Sequence, residues 1–427
     1  MSLVGKPGFR ETEVGWIPED WQPSTLGGAA YINPSRTKPE SDEDEVSFLA
    51  MGDVSEDGRV ITRQVRIYAE VAKGFTSFID NDVLVAKITP CFENGKGALV
   101  TNLLGGIGLG STEFHVVRAK TDRATPAFLN SHTRSDAFRR LGERSMVGSA
   151  GQKRVPAEFL REYPVALPPL PEQQKIAAIL TAVDDKLDVI ARQIEVTQTL
   201  KHGLMQGLFK RGVGLHNAAD WPTVLLCEVA DVRTGVAKGK KGLKEPVELP
   251  YLRVANVQDG HIDLSEVKSI EVEATQVERF RLRPGDVLMT EGGDFDKLGR
   301  GDVWEGQISP CLHQNHVFAV RPQPGKLNSH YLAALAASDH GRQYFLSCAK
   351  RTTNLASINS SQLKAFPVLL PSIAVQESIA EIVHSANAKV AVLEEKQKRH
   401  QTLKRGLMQK LLTGEWRVSL NASATGT

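Results

Sequence analysis

Basic side chains set in glycine-containing turns are the residues of this chain best suited to a chemical task. Lysine and arginine neutralise phosphates, and arginine matches the acceptor edge of guanine. Lys238-Gly239-Lys240-Lys241 is the densest such cluster, and its glycine lets the backbone come close to a ligand; a solvated loop would have the same composition. Lys87, Lys96 and Arg300 follow β-type runs at corresponding places in the two halves of the chain. Gln152-Lys153-Arg154 and the run from Arg351 to Asn354 precede two long helical patterns. They combine phosphate donors with amides able to pair with adenine. Together these residues read as a duplex-binding set, with an exposed hairpin or loop as the alternative for each.

Bond-making chemistry is harder to find. Cys311-x-His313-x-x-His316 offers soft ligands at short spacing. It lacks a fourth ligand at a recognisable distance, and its counterparts near Ser111 to Glu113 are not such a set, so no metal is expected. Gly105-Gly106-Ile107-Gly108-Leu109-Gly110 lacks the strand, helix and following acid of a dinucleotide loop and reads as a tight turn. No nucleophile elbow, Walker loop or zincin motif occurs. The nearest string to the Asn-Pro-Pro-aromatic signature of adenine methyltransferases is Asn33-Pro34-Ser35-Arg36. The chain is therefore expected to be no enzyme, with no catalytic residue, metal or cofactor of its own.

The elements that must position these residues come in two copies. Leu167 to Leu208 and Leu370 to Leu411 align at a constant offset of 203 positions with 17 of 42 residues identical. Both close on one frame, Thr199-Leu200-Lys201-His202-Gly203-Leu204-Met205-Gln206 in the first and Thr402-Leu403-Lys404-Arg405-Gly406-Leu407-Met408-Gln409 in the second. Ile176, Leu180, Val183, Leu187, Ile190, Ile194, Leu204 and Leu208 recur at heptad-like spacing, as do Ile379, Val383, Ala386, Val390, Leu393, Leu403, Leu407 and Leu411. Thr197 and Lys201 interrupt the first stripe; Gln397 and His400 interrupt the second. A helix reaching Arg211 would be roughly 60 Å long.

The segments before each helix alternate short β-type runs with turns and read as mixed α/β, the first becoming helical near Pro126 to Leu141. Phe48 to Val54 answers Tyr251 to Val257, Asn81-Asp82-Val83-Leu84 answers Gly285-Asp286-Val287-Leu288, and Gly95-Lys96-Gly97 answers Gly299-Arg300-Gly301. Elsewhere identity is poor: the helices kept their sequence while the globular faces diverged. The expected division is a globular domain at 1–165, a helical spacer at 166–213, a second globular domain at 214–368, a second spacer at 369–416 and a disordered tail at 417–427. The order domain, helix, domain, helix lets the helices pair as an antiparallel coiled coil. That would place the domains at opposite ends, about an approximate two-fold axis, and suit a bipartite, asymmetric target.

Composition sets limits. With 427 residues, 41% hydrophobic and 24% charged, the chain is long enough for several cores. A net charge of +2 means that nucleic-acid binding must rest on local patches. No apolar run reaches the ~18 residues that span a bilayer, and Met1 to Glu13 has no signal-peptide core. Cys91, Cys227, Cys311 and Cys348 are scattered as reduced thiols would be, which fits a cytoplasmic protein.

Three stretches carry a family resemblance: Glu11-Thr12-Glu13-Val14-Gly15-Trp16-Ile17-Pro18-Glu19-Asp20-Trp21, the helix entry Leu167-Pro168-Pro169-Leu170-Pro171-Glu172-Gln173-Gln174, and the Leu-Lys-x-Gly-Leu-Met-Gln exits. In these and in its whole layout the chain resembles the specificity (S) subunits of type I restriction-modification systems. The resemblance implies two target recognition domains separated by helical spacers, reading double-stranded DNA for two methyltransferase subunits and for restriction subunits. S-adenosylmethionine, ATP and Mg would belong to those partners. Leu200, Leu204, Met205, Leu403, Leu407 and Met408 are the expected docking residues for the methyltransferase. The second entry, Leu370-Pro371-Ser372-Ile373-Ala374-Val375-Gln376-Glu377, lacks the paired prolines and the Pro-Glu-Gln and is expected to be less rigid. The alternative reading is a coiled-coil scaffold whose α/β ends bind proteins or small ligands.

Overall fold

The structure is a computed structural model that describes residues 5–149, 151–214, 217–239, 242–293, 298–351 and 356–420. It divides into two compact units, Met1–Val189 with Gln397–Thr427, and Ile190–Lys396. Each unit holds one globular domain and half of each long helix. The spacers expected at 166–213 and 369–416 thus share cores with the domains they follow and precede.

In the first unit an antiparallel sheet runs in the order Ala30–Ile32, Phe114–Ala119, Val83–Ala86, Gly97–Leu99. Val83–Ala86 is buried at every position because a core lies on each face. Side chains alternate along a strand, so Val83 and Val85 join Trp21, Phe128 and Phe138, while Leu84 joins Phe78 and Phe114. A second sheet orders Gln64–Ile67, Glu45–Leu49, Ile107–Gly110 and Thr76–Ile79, with a parallel pairing of Ser47 to Gly108. The helical stretch expected from Pro126 to Leu141 is two helices, Pro126–Thr133 and Asp136–Ser145. Ser135 breaks them apart by turning its hydroxyl to accept the Phe138 N–H as an N-cap.

The second unit repeats this plan. Its main sheet runs Ala230–Thr234, Val317–Pro322, Val287–Thr290, Gly301–Val303. Val287 and Met289 face one core and Leu288 the other. Beside it lies a three-stranded sheet of Lys268–Glu273, Pro246–Leu252 and Leu312–His313, again with one parallel pairing. Both domains are mixed α/β. Each also buries one aspartate at the start of its central strand: Asp82 takes two 2.8 Å hydrogen bonds from Arg118, and Asp286 two of 2.7 Å from Arg321.

The long helices are Leu170–Arg211 and Ile373–Leu412. A fully buried glutamine ties each to its domain. Gln173 accepts from Thr125 N and donates to Arg123 O and Pro168 O. Gln376 makes the same bonds with Asn328 N, Lys326 O and Pro371 O. The second entry, despite lacking the paired prolines, is thus held by the same three hydrogen bonds as the first. Within the first unit the helices pack antiparallel: Leu180 shares a core with Met408, and one turn on, the Asp184 carboxylate meets the Lys404 ammonium at 2.5 Å.

Two expectations for the helices need correction. Thr197 and Lys201, the polar positions of the expected stripe, are half-buried on it, but the next step is to buried Met205 and not to Leu204, which is 40% exposed. In the copy the stripe passes through His400, Lys404, Met408 and Leu411, leaving Leu403 51% exposed. A helix turns about 100° per residue, so the step of four from Lys201 to Met205 keeps the face; a choice of leucine over methionine at that point follows hydrophobicity and loses the register. The second correction is the tail, expected to be disordered from 417. Arg417 binds the Glu172 carboxylate through Nε and Nη2 at 2.8 and 2.9 Å, and the Asp20 carboxylate through Nη1 and Nη2 at 2.9 and 2.7 Å.

Candidate nucleic-acid interface

Lys87 and Arg154, 67 residues apart in sequence, are brought together by the edge of the first domain. Val155 N donates to Lys87 O at 2.8 Å and Thr89 N to Lys153 O at 3.0 Å, so the segment 152–155 lies alongside the end of strand Val83–Ala86. Between the two cations sits Glu113. Arg154 grips its carboxylate through Nε and Nη2, at 3.0 and 2.8 Å, and spends Nη1 on Gln152 O. That pairing, with the Lys87 charge nearby, holds the Glu113 carboxyl below its ordinary range. Arg154 thus braces the loop through Glu113 while its side chain remains 43% exposed. Gln152 and Lys153 are exposed and Lys87 is half-buried.

The same place in the second domain carries different chemistry. Ile358 N donates to Glu291 O at 2.8 Å, as Val155 N does to Lys87 O. By that correspondence Lys87, Glu113 and Arg154 become Glu291, His316 and Ser357. The His316 ring pairs with Glu291. A cation flanked by a braced carboxylate has been replaced by an anion flanked by a histidine.

Lys96 is half-buried, and its ammonium donates to Met51 O at 3.2 Å, tying the hairpin back to its own domain. Its counterpart Arg300 is also half-buried, with a buried Nε that has no partner among the described residues. Lys238 is exposed, its ammonium 5.9 Å from the Tyr251 ring. Arg351 is placed by its backbone in the short strand Lys350–Arg351, paired with Ala356–Ser357. Lys240, Lys241 and Asn354 lie outside the described residues. Arg63 and Arg66, both exposed, flank and enter the edge strand Gln64–Ile67 of the first domain, where Arg63 donates to Thr101 O at 2.9 Å and Arg66 to Gln64 Oε1 at 2.9 Å.

Of the expected docking residues, Met205 and Met408 are buried in the domain cores, 5% and 8% exposed, and present no surface to a partner. Leu200 is 60% exposed, Leu403 51% and Leu204 40%, whereas Leu407 is half-buried against the core of the first unit. Gly203 and Gly406 lie between these leucines, and a Cβ built on either would meet nothing within 4 Å.

The cysteine and histidines that resemble a metal fragment are occupied otherwise. Burial pushes the Cys311 thiol up to about 12 and the His313 imidazole down to about 4, and the His313 Nδ1 meets Val317 O at 2.7 Å. Neither is poised as a thiolate nucleophile or a proton shuttle near neutrality. Among the described residues no group of three or more His, Cys, Asp or Glu is arranged to hold a metal ion, and no helix is long and apolar enough to cross a membrane.

Against known proteins, the family described as the type I restriction modification DNA specificity domain matches residues 18–198 and 218–401, one copy in each half. The chain belongs to that family. This specificity-domain protein is 39% identical over 181 residues to the type I restriction enzyme EcoEI specificity subunit of Escherichia coli, and 40% identical over 179 residues to the EcoAI specificity subunit. Each of those matches takes in 42% of this chain and 30% of the relative, so the chain spans less than a third of their length. The MjaVIII specificity subunit of Methanocaldococcus jannaschii is 26% identical over 447 residues, 98% of either chain. The type I restriction-modification S subunit of M. genitalium shares the fold, with a TM-score of 0.57 at 14% identity over 92% of this chain and 96% of that one. A chain from a structure on assembly and conformational transition of the type I R-M system does so too, with a TM-score of 0.57 at 20% identity, covering 94% of this chain and 99% of that one.

Proposed function

We propose that this protein is the DNA-recognition subunit of a type I restriction-modification complex, a reader without catalytic activity that binds a bipartite, asymmetric duplex site. One observation carries the reading. The two domains keep one framework, down to the Gln173 and Gln376 ties and the Asp82–Arg118 and Asp286–Arg321 pairs, yet Lys87, Glu113 and Arg154 on one edge face Glu291, His316 and Ser357 at the same edge of the other. A framework held constant beneath surfaces of different charge is what two readers of different half-sites need.

Two methyltransferase subunits are the partners proposed for the long helices, with restriction subunits joining for cleavage and S-adenosylmethionine, ATP and Mg used by those partners in the cytoplasm. Leu200 and Gly203 recur as Leu403 and Gly406, both leucines exposed and both glycines open at Cβ, and Leu204 is exposed while its copy Leu407 packs partly against the core of the first unit. Repetition of Leu200 and Gly203 at positions that their own chain leaves open points to one kind of partner meeting both copies. For the DNA, the test is binding of the assembled complex to its duplex across a salt series. Neutralising Lys153 and Lys238, one exposed candidate lysine in each domain, should flatten the slope of log K against log salt by up to about 0.9 for each phosphate left without its cation. An unchanged slope would return both lysines to solvated loops.

A further inference from the structure

The first unit contains a cleft of about 800 Å³ between its globular domain and the last turns of the second long helix. That volume lies within the range of small-molecule sites, roughly 300–1,000 Å³. Trp16, Tyr163 and Met408 supply apolar walls, and Arg140, Arg405 and Gln409 polar ones. His132 also lines it. His132 is 5% exposed, and its Nε2 has no hydrogen-bond partner among the described residues. Leaving such a buried polar atom unpaired costs roughly 1–3 kcal/mol. Burial pushes the imidazole down to about 4, so near neutral pH the ring is uncharged, with one nitrogen donating and the other accepting.

The duplicate of this cleft in the second unit shows what the fold does when nothing need enter. At the constant offset of 203, His132 corresponds to Leu335, Arg405 to His202, Gln409 to Gln206 and Asp136 to Asp339. Leu335 is wholly buried and leaves no polar atom unpaired. Gln206 Nε2 donates to Asp339 Oδ2 at 2.6 Å, and the His202 ring stands 4.0 Å from the same carboxylate, closing helix against domain. In the first unit the side chains of Asp136, Arg405 and Gln409 make no such bond among the described residues. In the second unit a side-chain hydrogen bond joins helix to domain at this place, and a leucine stands where the first unit has a histidine.

We propose that this cleft binds a small anionic aromatic molecule of nucleotide size. Its ring lies against Trp16 and Tyr163, a polar edge of the ring hydrogen-bonds His132 Nε2, and its phosphate, sulfonate or carboxylate is held by Arg140 and Arg405. The carboxylate of Asp136, also in the wall, accepts from an amino or hydroxyl group and disfavours a second negative charge. The site is distinct from the proposed duplex-binding edges, and Gly406 of its wall also belongs to the surface proposed for the methyltransferase.

The test uses the full chain and two probes. Anilinonaphthalene sulfonate, an aromatic anion whose fluorescence reports its burial, is titrated in and then displaced with adenosine 5′-monophosphate. One saturable site is expected, competed by the nucleotide and weakened about tenfold, the equivalent of one hydrogen bond of about 1.4 kcal/mol, in both His132→Leu and Arg405→Ala. His132→Leu installs the residue the second unit already carries at this position, so it should fold and melt at a higher temperature without ligand. Absent binding, sulfonate binding that the nucleotide cannot displace, or unchanged affinity in the two variants would each overturn the proposal. A higher melting temperature with unchanged probe affinity would make His132 a packing defect and nothing more.

Discussion

Single residues set the acid response of this molecule. His132 and His313 are each buried and pushed from an ordinary 6.5 to about 4. The unfolded chain therefore binds protons that the folded chain refuses between pH 6.5 and about 4, and stability must rise with pH across that window. The contribution is complete above pH 6.5 and is lost as pH falls towards 4. Between pH 7 and pH 5 each histidine should cost the fold about 2 kcal/mol. Thermal unfolding at the two pH values should show His132→Leu losing less stability than the parent by about that amount, and equal losses would mean that His132 is protonated in the native state. Residues of this kind were only partly legible in the sequence. Lys87 and Arg154 were found from their turns, but nothing in a linear reading tells that Glu113, from a third segment, lies between them and occupies Arg154. Charge composition is local, whereas pairing across a sheet edge is not.

At the scale of elements the sequence was most informative, because the duplication writes each helix twice. Both long helices, their ends and the mixed α/β domains follow from periodicity and from the constant offset. The register runs correctly through Thr197 and Lys201 and fails at the next step, where heptad spacing selects Leu204 while the straight helix buries Met205. The exposed side of the same frame yields a prediction. Glycine inside a helix is less favourable than alanine by about 1 kcal/mol, and neither Gly203 nor Gly406 has a neighbour within 4 Å of a built Cβ. The double variant Gly203→Ala with Gly406→Ala should raise helix stability by up to about 2 kcal/mol yet weaken assembly with the methyltransferase subunit. Calorimetry and a co-purification assay measure the two effects separately; stabilisation with undiminished assembly would remove these glycines from the docking surface.

For the whole molecule, the chain's end is tied to its beginning inside the first unit. Glu172, 2% exposed, receives Trp21 Nε1 at 3.2 Å as well as Arg417, and Arg417 reaches on to Asp20. Arg417→Ala would leave that buried carboxylate with a single neutral donor. The expected loss is about 2–3 kcal/mol, read as a lower melting temperature, while Arg417→Lys should recover only part of it because an ammonium cannot span two carboxylates as the guanidinium fork does. A melting temperature unmoved by Arg417→Ala would mean that the tie carries no net stability. The sequence offered no sign of this tie, as a lone arginine in a short polar tail is indistinguishable from a solvated one. One framework, duplicated and then differently charged, is proposed to read two different half-sites. Replacing residues 1–165 with the corresponding domain of a relative of known specificity, assembling the hybrid with the proposed methyltransferase subunit and mapping the methylated positions puts this to the test. One half-site should change to that of the donor while the other half-site is kept; a hybrid that folds, assembles and changes both half-sites, or neither, would contradict independent reading.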